Sequence, residues 1–76
     1  MKNNPTVKDI ILLWPTAEEL GRDIKETGGT VRAWSNRGSI PSGYWCSVVT
    51  AAQARGISLS YEDLAVAHDN SRLEAA

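Results

Sequence analysis

Only one cysteine and one histidine occur among the 76 residues, and no apolar run approaches the length of a membrane span. Cys46 has no partner within the chain, which excludes a disulfide-stapled secreted module and suits a reducing compartment. One Cys and one His match no metal-ligand spacing, so neither a metal nor another cofactor is expected. A spanning helix needs about 18 or more consecutive apolar residues, and the N-terminus lacks the apolar region of a signal peptide. A cytoplasmic protein with no membrane partner is the expectation. Internal repeats and low-complexity tracts are also missing. A chain this short has no room for a second core, so residues 1–76 are read as one domain with its core over about 5–68.

Acidic residues are missing from the whole stretch 27–59, which carries Arg32, Arg37 and Arg55. The net charge of −1 therefore hides a basic centre, flanked by an acidic segment at 16–26 and an acidic tail at 60–76. The apolar fraction of 42% and charged fraction of 22% are those of a folded globular chain.

What is present reads as about five short helices with marked stops. Val7, Ile10, Ile11 and Trp14 form one apolar stripe, with Asn4 as an N-cap, Pro5 in the first helical position and Pro15 ending the segment. Thr16 and Glu19 have capping-box spacing, and Leu20 and Ile24 give the second helix its buried edge. Thr27 caps a third helix carrying Val31 and Trp34, and Gly38 suits the left-handed position after it. Pro41 opens a fourth, with a stripe of Trp45, Val48, Val49 and Ala52. Gly56 repeats the stop seen at Gly38. Ser60 and Asp63 cap a fifth helix bearing Leu64 and Ala67, and residues 70–76 read as frayed. Strand signal is confined to Ile57-Ser58-Leu59, too short to weigh. The fold class is all-α.

The informative stretch is 17–37. Two short helices joined by a tight turn bring their backbones close where they cross. That requires a small residue early in the first helix, here Gly21, and apolar residues later in both, here Leu20, Ile24, Val31 and Trp34. A glycine inside a helix costs about 1 kcal/mol relative to alanine, so a packing reason is implied. This is a helix-turn-helix pattern.

On these residues, Glu19 to Gly38 resembles the DNA-binding helix-turn-helix of phage-type Cro and lambda-type repressors. The wider run Trp34-(x)2-Arg37-Gly38-x-Ile40-Pro41-(x)2-Tyr44-Trp45 resembles the carph-isopro domains of bacteria and prophages. The resemblance covers about 6–68. It implies a compact five-helix lambda-repressor-like domain, usually dimeric, acting as a transcriptional regulator. Where the family often has Gly with left-handed backbone, this chain has Lys25. Either Lys25 is strained by about 1 kcal/mol or the turn takes another shape.

In such a motif the second helix, here about 28–37, enters the major groove. Gly29, Arg32, Ala33 and Asn36 are then the expected base contacts. Arg32 leads, because its planar fork matches guanine O6 and N7, while Ala33 suits a thymine methyl and Asn36 an adenine edge. Expected phosphate contacts are Arg22, Lys25, Thr27, Gly28 and Arg37, with Thr27 and Gly28 at a helix N-terminus. So few contacts per chain imply a homodimer on a double-stranded inverted repeat, with half-sites about 34 Å apart or a multiple of that. The reading requires Val31 and Trp34 to be hidden and the opposite, cationic edge to be open.

Other features have plainer readings. Trp14, Trp34 and Trp45 are expected in the core. Tyr44 and Tyr61 suit either a dimer seam or the core margin. Cys46 reads as a small buried or semi-buried residue, and His68 as a solvated residue near a helix end. Glu18-Glu19 and Glu62-Asp63 are first-turn acids. No nucleophile stands near His68 and Asp69 in sequence, so no catalytic residue is assigned and enzyme activity is not expected. Two alternatives stay open: an excisionase or MerR-like DNA-binding protein, which needs a β-hairpin wing, and an antirepressor or adaptor that keeps the fold and binds protein.

Overall fold

A computed structural model describes residues 5–75, which form five helices and no strand. Helix α1 is Val7–Ile11, α2 Ala17–Ile24, α3 Gly28–Arg37, α4 Trp45–Ala54 and α5 Tyr61–Ala75. A single 3-10 turn, Ser42–Tyr44, precedes α4. Helices α2 and α3 pack on each other, α1 rests on α3 and α5, and α4 bridges α2 and α5.

The expected stripes make the core. Val7, Ile10, Ile11 and Trp14 are buried, as are Leu20, Ile24, Val31, Trp34, Val48, Val49, Ala52, Leu64 and Ala67. Ile40 and Leu59, from the connecting segments, fill the spaces between helices. Trp45 is half-buried instead, with its indole Nε1 donating to the Ile40 carbonyl at 2.8 Å. Among the described residues no helix is long and apolar enough to cross a membrane.

Helix ends follow local chemistry. Thr16, Thr27 and Ser60 each accept an amide three residues on, from Glu19, Thr30 and Asp63. The Asp63 carboxylate returns to the Ser60 amide, closing a capping box with Asp in place of Glu. The expected return bond from Glu19 to Thr16 is not made, because the Glu19 carboxylate is drawn to Arg22 and Arg55. Gly38 and Gly56 are left-handed, with φ of 70° and 77°. At each, paired amide-to-carbonyl bonds close the preceding helix: Ser39 to Trp34 and Gly38 to Ser35, then Ile57 to Ala52 and Gly56 to Gln53.

Several expectations are corrected. Helix α1 starts two residues later than read, at Val7, with Thr6 and Asp9 forming its capping box; Asn4 lies outside the described residues. The helix stops at Ile11, and Trp14 reaches the core from the turn that follows, where Trp14 N–H bonds the Ile11 carbonyl. Pro41 introduces the 3-10 turn and α4 starts at Trp45, since the Tyr44 amide bonds the Pro41 carbonyl in a three-residue step. Residues 70–75 are helical, not frayed: α5 runs to Ala75, anchored where Asn70 Nδ2 donates to the Pro5 carbonyl and Ser71 Oγ accepts the Val7 amide, and Ala76 lies outside the described residues. Cys46 is exposed, because it falls on the outer side of α4. His68 lies mid-helix and half-buried. It accepts the Ile40 amide at 2.8 Å, contacts the Leu64 carbonyl through Nδ1 at 2.7 Å, and packs on Trp45 with ring centres 4.8 Å apart. The segment 38–60, where a wing would have to be, is the 3-10 turn and α4, so the winged alternative has no hairpin to stand on.

Candidate nucleic-acid interface

Helix α2, the turn at 25–27 and α3 form a helix-turn-helix whose crossing is set by Gly21. A β-carbon there would stand 2.6 Å from the Glu26 carbonyl oxygen and 3.0 Å from the Thr27 carbonyl carbon, so only glycine fits without backbone movement. The turn between the helices is left-handed at Lys25, with φ 64° and ψ 42°. The Glu26 amide reaches back to the Gly21 carbonyl at 2.7 Å and Lys25 N–H to Arg22 at 3.4 Å. Of the two possibilities raised by Lys25, the chain takes the strained one.

Two contacts hold the start and end of α3. Before it, the Tyr44 hydroxyl donates to the Glu26 carboxylate, which raises the Tyr44 pKa above its ordinary value. The Tyr44 ring also packs on Trp34 with centroids 4.8 Å apart. Tyr44 therefore sits at the core margin and ties the segment after α3 to the turn before it. Beyond its end, the Ile40–His68 bond fixes the outgoing chain to α5.

With Val31 and Trp34 buried, the opposite edge of α3 faces outward: Gly29, Arg32, Ala33, Asn36 and Arg37 are all exposed. The expected base contacts thus share one open edge. Of the expected phosphate contacts, Arg37 lies at the far end of that edge, and Arg22 and Lys25 are exposed on α2 and the turn. Thr27 spends its hydroxyl on the Thr30 amide and faces the Thr30 hydroxyl at 3.0 Å. Gly28 is half-buried, because the Glu18 side chain lies against its α-carbon.

Charge is arranged less simply than the sequence suggested. Arg32 is hydrogen-bonded to the Glu18 carboxylate, which lowers the Glu18 pKa; both side chains remain more than half exposed, at 58% and 54%. Arg55 is bound by Asp23 and by Glu19 at 3.1 Å, tying α4 to α2. Those bonds keep the Arg55 guanidinium more firmly protonated than usual and hold the Asp23 carboxyl below its ordinary range. Arg22 pairs with Glu19 at 3.0 Å. Of the three arginines in the acid-free stretch, only Arg37 has no ion pair among the described residues.

Two residues missed in the sequence belong to this surface. Lys8, on α1, shares a shallow cleft with Asn36 and Arg37. Its proximity to them depends on α1 packing against α3, which no local pattern encodes. Glu18 reads in sequence only as a first-turn acid, yet its carboxylate is hydrogen-bonded to Arg32, the first of the expected base contacts. Among the described residues, no three His, Cys, Asp or Glu side chains gather as a metal site.

No protein-family model, curated protein or solved structure matches the chain.

Proposed function

We propose that the chain is a sequence-specific DNA-binding transcriptional regulator of the Cro and lambda-repressor type, of phage or prophage character, that lays α3 in the major groove. The observation carrying this reading is the open edge of α3, presented by a glycine-dependent helix crossing whose other side is locked into the core. Arg32 reads guanine, Ala33 a thymine methyl and Asn36 an adenine or the adjacent backbone, with Gly29 letting the helix approach closely. Arg22, Lys25 and Arg37 position the helix on phosphates, while the Thr27 hydroxyl is engaged by Thr30 and Gly28 lies under Glu18. With so few cations per chain, the active form is a homodimer on an inverted repeat in the cytoplasm. Selection of bound duplexes from a random pool tests this, followed by binding at rising salt. A recovered palindromic site, with affinity falling steeply as salt rises, supports the reading. No enrichment, with no binding at low salt, overturns it.

A second reading is favoured by the Glu18–Arg32 pair and the net charge of −1. A domain whose leading arginine is already neutralised suits an antirepressor or adaptor that binds protein. Exposed Leu12, Leu13, Val66 and Leu73 add apolar surface to it. Affinity for a protein partner that persists in high salt, with no duplex binding, would select this alternative.

A further inference from the structure

The Glu18–Arg32 pair crosses from α2 to α3 over 14 residues of sequence and, among the described residues, is the one ion pair made by α3. It uses the open space at Gly28. A β-carbon there would lie 2.7 Å from Glu18 Oε2 and 2.8 Å from its Cδ and Cγ, so the acid occupies the space a side chain at 28 would take, and an alanine there would push this flexible, exposed carboxylate aside. A carboxylate beside the first turn of a helix complements the dipole, and it occupies ground that a DNA phosphate would otherwise approach. Its exposure makes the pair weak enough to exchange, since solvent-exposed ion pairs are screened and contribute little. The Arg32 hydrogen bond also lowers the Glu18 pKa below its ordinary value.

We propose that Glu18 is a specificity-determining residue: it holds Arg32 on non-cognate DNA and yields it only to a guanine. This rests on the DNA-binding reading above. On a random duplex Arg32 stays with Glu18, and the carboxylate repels the nearby phosphates, so sequence-independent affinity is kept low. At the cognate base pair, guanine O6 and N7 offer Arg32 two acceptors in the geometry of its fork and replace the carboxylate. Arg32 then contributes to discrimination without contributing to the general salt-dependent attraction.

The test compares the wild type, Glu18→Gln, Arg32→Ala and the double variant on the selected site and on a random duplex. Glu18→Gln keeps the shape and removes the charge, and its exposed position spares the fold, which circular dichroism checks. On random duplex it is expected to tighten binding roughly two- to fivefold per protomer. It should also steepen the log–log salt slope by about one per protomer. The ratio of cognate to random affinity should fall, and the steeper slope should vanish when Arg32 is also alanine. If the wild type selects a site but Glu18→Gln leaves ratio and slope unchanged, or only weakens cognate binding, the gating role is wrong and the DNA reading stands. If the wild type binds no duplex, both fall.

Discussion

The Glu26 amide donates to the Gly21 carbonyl at 2.7 Å, while the Glu26 carbonyl stands 2.6 Å from where a β-carbon on Gly21 would lie. The turn between α2 and α3 is thus closed by the residue that leaves no room for a side chain opposite it. Gly21→Ala must move backbone, and overpacking of this kind costs about 1–3 kcal/mol. Gly29→Ala has the opposite sign. Its new methyl would meet nothing nearer than Thr27 Oγ1 at 3.8 Å, and the helix gains up to about 1 kcal/mol from losing a glycine. Urea unfolding of the two variants checks the contrast.

Lys25 is the only non-glycine residue with positive φ among those described. Replacing it with glycine relieves a left-handed side chain and is expected to raise stability by about 0.5–1 kcal/mol, net of the glycine's greater chain entropy. Lys25→Ala retains the β-carbon and should show no such gain. A shift in urea midpoint without a change in slope is the readout.

The buried Trp14 indole donates to Asp23 at 3.0 Å, and Arg55 binds the same carboxylate. Asp23→Ala leaves that indole N–H unpaired and is expected to cost about 1–3 kcal/mol. Arg55 foremost, and Trp14 after it, hold the folded Asp23 carboxyl below its unfolded value. The folded state therefore binds the proton less well. Its stabilisation is complete above about pH 4 and is lost as pH falls through the folded pKa. Thermal midpoints of the wild type should drop on acidification below pH 4, and those of Asp23→Asn should drop less.

Ser71 accepts the Val7 amide and Asn70 reaches the Pro5 carbonyl, so the end of the chain secures its beginning. Ser71→Ala is expected to destabilise the domain by about 1 kcal/mol or more, since the Val7 N–H is left without its acceptor. Hydrogen exchange should accelerate first in α1. An unaltered exchange pattern would mean the tail adds nothing to the fold.

Local chemistry was readable where one residue decides a conformation. Thr16, Thr27, Gly38, Gly56 and the Ser60–Asp63 pair all act as their types dictate, and Gly21 declares the tight crossing. Thr6-Val7-Lys8-Asp9 carries the same spacing as Ser60-Tyr61-Glu62-Asp63, yet Pro5 drew the start of α1 to the wrong residue. The tail and His68 were misread because their partners, Pro5, Val7 and Ile40, are 28 to 65 residues away. The same distance problem hid the pairing of Arg32 with Glu18 and of Arg55 with Asp23. The acid-free stretch looked cationic in sequence because the acids that answer it come from α2.

Base discrimination by Arg32, set beside phosphate attraction by Arg37, tests the central claim most directly. The selected duplex and single-base variants of it are titrated with the wild type, Arg32→Ala and Arg37→Ala over a range of salt. The expected result is that Arg32→Ala loses about 1–3 kcal/mol of preference at one guanine per half-site, while Arg37→Ala weakens every duplex alike and lowers the salt slope by about one. Unchanged preference in Arg32→Ala would contradict it, and the outer edge of α3 would not be what reads the sequence.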